Sequence, residues 1–254
     1  MKRIPESLWC ELEKLLPSKN TKVGRPEFDN KKTLEGIVFV LKTGIQWCEL
    51  SEKYGHFSTV HGKFMKWARA GVFKKMMVKA REYYRIRNKK NIWYSIDTSS
   101  KKAPLANFSG KNPTDRAKRG IKHILIVDRK GIPLVAEIAP ANTHDSKLLT
   151  SVLKTFRKSK KVRILTADSA WDNKESRLKC KKKNIALIAS TNKRRNKKKH
   201  KSSAPMRWIA EQTFGILSWL RGLKICWAKT QESALAFLQI ACSFRIFKSL
   251  GIFV

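Results

Sequence analysis

The chain changes its hydrophobic rhythm once, near residue 90. Before that point, apolar positions recur at helical spacing. Leu8, Trp9, Leu12, Leu15 and Leu16 predict a helix over 7–16, stopped by Pro17. Leu34, Ile37, Val38 and Leu41 predict a second, with Asp29 as N-cap and Gly44 just past its end. Val60, Phe64 and Trp67 define a third, from Ser58 or Thr59 to Ala70, and a fourth runs from Val72 to about Tyr84. After the basic stretch 85–91 the runs shorten and become β-branched and aromatic: 92–97, 121–127, 132–138, 162–167 and 185–189. Asp128-Arg129-Lys130-Gly131 reads as a hairpin turn between the second and third runs. Helical spacing returns at about 145–157 and 172–183, then from Pro205 and over about 233–250.

These elements predict three regions: a helical, helix-turn-helix-like domain (1–84), a basic linker (85–91) and a mixed α+β domain (92–254). In the last, three strands precede alternating helix and strand. That is the order of an RNase H-like fold, in which the first and fourth strands are neighbours. Residues 98–120 read as one long polar loop.

Charge alters the picture. Against 56 Lys and Arg stand 19 acids, a net +37 spread along the whole chain. Such a field points to a polyanion, nucleic acid first. The 42% apolar fraction is that of a globular chain. Five scattered Cys without a C-x-x-C pair argue for reduced thiols in a cytoplasmic protein. No apolar run reaches the length of a membrane span, and the N-terminus lacks the apolar core of a signal peptide. In the third helix, His61, Lys63, Lys66 and Arg69 lie off the apolar face, as a DNA-reading helix requires. An ordinary solvated basic face is the competing explanation. Lys193, Arg194, Arg195, Lys197, Lys198, Lys199 and Lys201 crowd the polar tract 190–205.

Acids are scarce, so their positions carry weight. Asp97 and Asp168 each end an apolar run. The strand order would bring the two together, although a lone aspartate at such a place also serves as a turn or cap residue. Like charges at neighbouring strand ends repel unless a cation lies between them. Magnesium suits such oxygens. Glu211 lies on the helix after the last strand, with Arg207 at i−4 on the same face. Three acids with two divalent ions fit in-line displacement at phosphorus. Asp172 is the rival for the second acid, with helix capping as its other role.

With these residues assembled, the chain resembles the DDE transposases of bacterial insertion sequences, in particular the IS-four/IS-five superfamily. Leu15-Leu16-Pro17, Gly24-Arg25-Pro26 and 40–47 are similar to that family's DNA-binding region. Residues 95–100, 120–128, 131–134 and 140–145 are similar to its strands and strand-to-helix turn. Ala167-Asp168-Ser169-Ala170-Trp171-Asp172 matches the segment of the second acid, with Trp171 where a Tyr is usual. Arg207-Trp208-Ile209-Ala210-Glu211 matches the Arg-x-x-x-Glu of the third. Ala204, Gln212 and Ser218 depart from the wider pattern. The resemblance implies Asp97, Asp168 and Glu211 as metal-binding catalytic acids using Mg²⁺ or Mn²⁺, as two ions, with Arg207 on the DNA. It implies cleavage and strand transfer at terminal inverted repeats of double-stranded DNA by a homodimer in the bacterial cytoplasm, at the nucleoid. The alternatives are a structure-selective nuclease or resolvase, and a decayed DNA-binding remnant without activity.

Overall fold

The structure is a computed structural model that describes residues 4–17, 28–88, 91–156, 160–190 and 206–252. Gly24-Arg25-Pro26 and the basic residues of 191–205 lie outside the described residues. Two compact units emerge. One comprises 1–87, 105–107 and 217–254; the other comprises 88–104 and 108–216.

The first unit is helical. Its elements are α1 (Glu6–Glu13), α2 (Asn30–Thr43), α3 (Phe57–Arg69), α4 (Val72–Arg87) and, from the far end of the chain, α8 (Gln231–Ser249). Asp29 caps α2 by accepting from the amides of Lys31 and Lys32, and Gly44 ends it in the left-handed region at φ 71°. A side chain at Gly44 would also press on Arg221, so this C-cap doubles as a contact point. The connection from α2 to α3 contains two 3-10 turns, 47–49 and 52–54. It is longer than the three or four residues of a tight helix-turn-helix.

The sequence assigns 217–254 to the second domain, whereas the structure packs these residues in the first unit. The physical reason lies in α8, which is buried on nearly every side, from Ala234 and Ala236 to Ile246 and Phe247. A helix apolar all round needs cover from several neighbours. Here α4, α3 and α2 supply it. Phe237 stacks on Phe64 with ring centroids 4.7 Å apart, and Phe64 in turn meets Phe73 at 5.7 Å. The linker expected at 85–91 also shortens, because α4 continues to Arg87.

The second unit is built on a six-stranded mixed sheet. Its strands are β1 (Trp93–Lys102), β2 (Gly110–Lys111), β3 (Arg119–Asp128), β4 (Pro133–Pro140), β5 (Arg163–Ala167) and β6 (Ile185–Ala189). Along the sheet the order is β2-β3-β1-β5-β6, and β4 also pairs with β3. The β1–β3 and β3–β4 pairs are antiparallel; β1–β5 and β5–β6 are parallel. An antiparallel meander continued by parallel strands is the RNase H-like arrangement anticipated above.

Helices α5 (Asp145–Thr155) and α6 (Lys174–Lys181) share one core with the sheet: Ile96, Ile124, Leu149, Val152, Phe156, Leu165, Trp171 and Cys180. The turn 128–131 behaves as the sequence suggests. The Asp128 carboxylate accepts from the amides of Lys130 and Ile132 at 2.9 and 3.0 Å. Part of the expected 98–120 loop is sheet instead, since β1 extends to Lys102 and β2 pairs with β3. Polar side chains in 98–102 hide this from periodicity; the backbone pairing with β3 decides it.

His123 lies inside this sheet, opposite Ser99 of β1. Burial, and then the charge of Lys101, depress its pKa from 6.5 to about 3. It therefore stays neutral in the fold and protonates when unfolded. Stability is full above pH 6.5 and is lost as pH falls from 6.5 toward 3. Melting curves across this range should show a loss of about 2 kcal/mol by pH 5 from this residue. The His123→Gln variant should lack that part of the slope.

Candidate active site at the parting of two strands

The parallel pairing of β1 with β5 runs through Trp93–Ile164, Tyr94–Leu165 and Ser95–Thr166, and then stops. Two positions beyond the last pair come Asp97, still within β1, and Asp168, just past the end of β5, near enough for their charges to interact. Asp97 is not at the end of its strand, as the sequence suggests; β1 goes on, paired with β3 alone, to Lys102. The strands part on the other side, where β5 ends at Ala167 and the chain enters the 3-10 turn Ser169–Trp171. This is the open-sheet position where neighbouring strands part at a carboxyl end.

Each carboxylate is fixed by its own backbone. Asp97 accepts from the Thr98 amide at 2.8 Å. Asp168 accepts from the Ser169 amide and caps the 3-10 turn Ser169–Trp171. Trp171, wholly buried in the core, anchors that turn. The third acid arrives on α7 (Trp208–Leu217). Ile209, Ala210, Thr213, Phe214 and Leu217 form its buried stripe, leaving Glu211 exposed. Thr213 sets the helix position: its hydroxyl meets the carbonyls of Gly131 at 3.1 Å and of its own Ile209 at 2.9 Å. A side chain at Gly131 would collide with Thr213 Oγ1 at 2.9 Å, so the hairpin glycine, at φ 68°, permits the docking.

Arg207 ties the cluster together. Its guanidinium lies 3.6 Å from Asp168 and 3.0 Å from Glu211. It is held above its ordinary pKa: desolvation opposes this, but the charges of Asp168, Glu211 and Asp97 prevail. The Asp97 carboxyl is pushed up to about 6, chiefly by burial; the Thr98 amide and Arg207 pull it down, while Glu211 and Asp168 push it further up. Asp97, Asp168, Glu211 and Arg207 thus form one electrostatic group.

The donor set is all oxygen, which suits a hard divalent cation. As the side chains stand, no three His, Cys, Asp or Glu among the described residues gather closely enough to hold an ion. Arg207 supplies the positive charge that two of the carboxylates share. Asp172, the rival acid, forms a bidentate pair with Arg177 at 2.6 and 2.7 Å. Nor does it cap α6, because Asn173 does so by accepting from Ser176.

The structure also shows a pairing that sequence reasoning missed, between Asp145 and Lys122. Asp145 joins β1 to β3 by pairing with Lys122 at 2.7 Å and accepting from Thr98 at 3.4 Å. The cap of α5 is His144, which accepts from the Ser146 amide. The Pro-Ala-Asn-Thr-His-Asp run was the available signal for this corner.

The DNA-facing candidates lie on α3 of the other unit. Lys66 and Arg69 are exposed. Lys63, expected to face DNA, instead donates to the Phe28 carbonyl and to Asn30 at 2.6 Å, fastening the start of α2. His61 packs on Trp47 with centroids 4.9 Å apart, and desolvation lowers its pKa.

Against known families, residues 74–244 match the model described as "Transposase DDE domain", well over half of the chain. The chain belongs to the DDE transposase family. Residues 4–77 match a second model, "Putative transposase of IS4/5 family". Among curated DDE relatives, the chain is similar to the "Putative transposase for insertion sequence element IS402" of Burkholderia cepacia, at 29% identity over 53% of this chain and 66% of that one. A second, "Insertion element IS402 uncharacterized 16.2 kDa protein" from the same organism, is 35% identical over 29% of this chain and 54% of its own length. The chain thus spans less than two thirds of the length of either relative. Among solved structures, the piggyBac transposase synaptic complex with hairpin DNA aligns with 95% of this DDE chain and 70% of its own, at 9% identity and a TM-score of 0.44.

Proposed function

We propose that this protein cuts the ends of an insertion sequence and joins them to target DNA. The observation that supports the reading is that Asp97 and Asp168 lie just beyond the last β1–β5 pair and interact electrostatically, with Arg207 joining Asp168 to Glu211. The membership in the DDE family supports the same chemistry. Asp97, Asp168 and Glu211 would hold Mg²⁺ or Mn²⁺, as two ions. Bound there, the ions would acidify the attacking water or 3′-hydroxyl and stabilise the leaving oxygen. Arg207 has a fork suited to a phosphodiester oxygen once the carboxylates no longer need its charge. Asp97 must be ionised to donate; burial chiefly, and the neighbouring acids in smaller part, raise its pKa, and a bound cation would favour the ionised form. No Ser or Tyr nucleophile is required, because each step exchanges one oxygen for another at phosphorus.

The substrate in this reading is double-stranded DNA, terminal repeats and target, gripped by a homodimer at the bacterial nucleoid. The net charge of +37 supports a polyanionic partner. No helix among the described residues is long and apolar enough to cross a membrane.

The deciding experiment incubates labelled DNA carrying the sequences that flank this reading frame with the protein and Mg²⁺ or Mn²⁺. Metal-dependent cuts at the repeat ends support the proposal. Cuts that follow branched structure and ignore the repeats would favour a resolvase. Binding without cutting would mean a decayed remnant. A companion measurement addresses α3. Replacing Lys66 and Arg69 together by Gln should weaken binding at all sequences, and flatten the log–log salt dependence by about two. An unchanged slope would remove α3 from the interface.

A further inference from the structure

The stretch 217–230 of the helical unit has a surface that neither the acid cluster nor α3 accounts for. Leu217, Leu223 and Cys226 are buried and pin it down. Gly222 lies against α2, where an added Cβ would meet the Leu41 carbonyl at 2.9 Å. The Lys229 carbonyl accepts from the Asn107 amide at 3.2 Å. The backbone is therefore held at several points. Between the anchors Trp219 and Trp227 are 83% and 58% exposed, and Arg221, Lys224 and Lys229 of the same stretch are exposed too.

Two indoles left in water on an anchored strap are costly unless something covers them. The chemistry around them selects the occupant. From Gln212 to Gln231 the chain has no acid. Cations interleaved with exposed aromatic rings make a surface that tracks phosphates while offering planes to bases. A second copy seated directly on the strap would leave these cations without the counter-charge that phosphates supply. Fully paired duplex would satisfy the cations but leave the indoles uncovered.

We infer that the 217–230 strap binds DNA at unpaired or unstacked nucleotides, with Trp219 and Trp227 stacking on bases and Arg221, Lys224 and Lys229 on the phosphates. The inference rests on the DNA-processing reading above, and adds that part of the bound DNA is opened.

The test compares two labelled DNAs on the full chain, a fully paired duplex and the same duplex with a run of unpaired thymines. The wild type should prefer the interrupted duplex. The double variant Trp219→Ala/Trp227→Ala should lose that preference by roughly five- to a hundredfold for each base unstacked from its ring. Its binding to the paired duplex should stay as it was. Phenylalanine at both positions should retain most of the preference, and the melting curves of all three proteins should coincide. Equal binding of both DNAs by the wild type, or a preference that survives the alanines, would overturn the inference while leaving the proposed function standing. A change of sedimentation mass in the alanine variant, with DNA binding unaltered, would make the strap an interface between copies and overturn it too. Failure of the wild type to bind either DNA would instead sink the DNA-processing reading itself.

Discussion

Replacing Asp97 by Asn is expected to leave a well-folded protein that binds DNA and no longer cuts it. The change removes one carboxylate from a group of three without altering side-chain shape. Loss of one preorganised charge at a reacting phosphate costs on the order of a hundredfold to a thousandfold in rate. Stability should move the other way. In the metal-free fold the Asp97 pKa is raised to about 6 from an ordinary 3.8, so its ionised form is disfavoured relative to the unfolded chain. At pH 7 that penalty is roughly 1–3 kcal/mol, allowing for partial solvent screening. It shrinks as pH falls through the raised pKa of about 6 and is gone only below the ordinary 3.8, and the Asn variant should never incur it. Parallel assays of end cleavage and thermal unfolding at pH 7 measure both effects. Lower stability together with lost cleavage would mean that Asp97 is a structural residue, and the site assignment would fall.

The largest change in stability should come from Trp171. Its side chain is fully buried beneath the turn that carries Asp168, in the core shared by α5, α6 and the sheet. Cutting it back to Ala should cost about 3–5 kcal/mol, through lost burial and the cavity left behind. Among the described residues the indole Nε1 has no hydrogen-bond partner. Phenylalanine, which discards that unsatisfied donor and keeps much of the ring, should therefore cost far less. Denaturant midpoints of the two variants give the comparison. Because Ser169–Trp171 is a single 3-10 turn capped by Asp168, the Ala variant should also lose cleavage, out of proportion to its residual folding. An Ala variant that melts like the wild type would show that the turn is held by something else.

How much of this could be read from residues alone differs by element. The helices α2 to α4 and the strands β3 to β6 carry clean periodicity, and their limits in the structure fall within a few residues of those predicted. The acid pair was legible because Asp97 and Asp168 each follow an apolar run in a chain poor in acids. The continuation of β1 was not, since Thr98, Ser99, Ser100, Lys101 and Lys102 look like a loop until β3 is seen to pair with them. Lys63 looked like a DNA contact because helical spacing says which side a residue faces, not which carbonyl lies in reach. The placement of α8 was hidden for a similar reason. An all-round apolar helix announces that it is buried, but not among which neighbours.

That last feature governs the order in which the protein is made. The helical unit takes its parts from both ends of the chain, with the sheet unit between them. On the ribosome, residues 88–216 emerge complete while Phe64 and Phe73 still wait for Phe237 of α8. The N-terminal helices therefore finish folding last, although they are synthesised first. A product that stops after Ile216 would carry all of the acid cluster and yet expose the apolar faces that α8 covers. Such a fragment should draw chaperones or aggregate, and an incomplete message would yield little persistent protein.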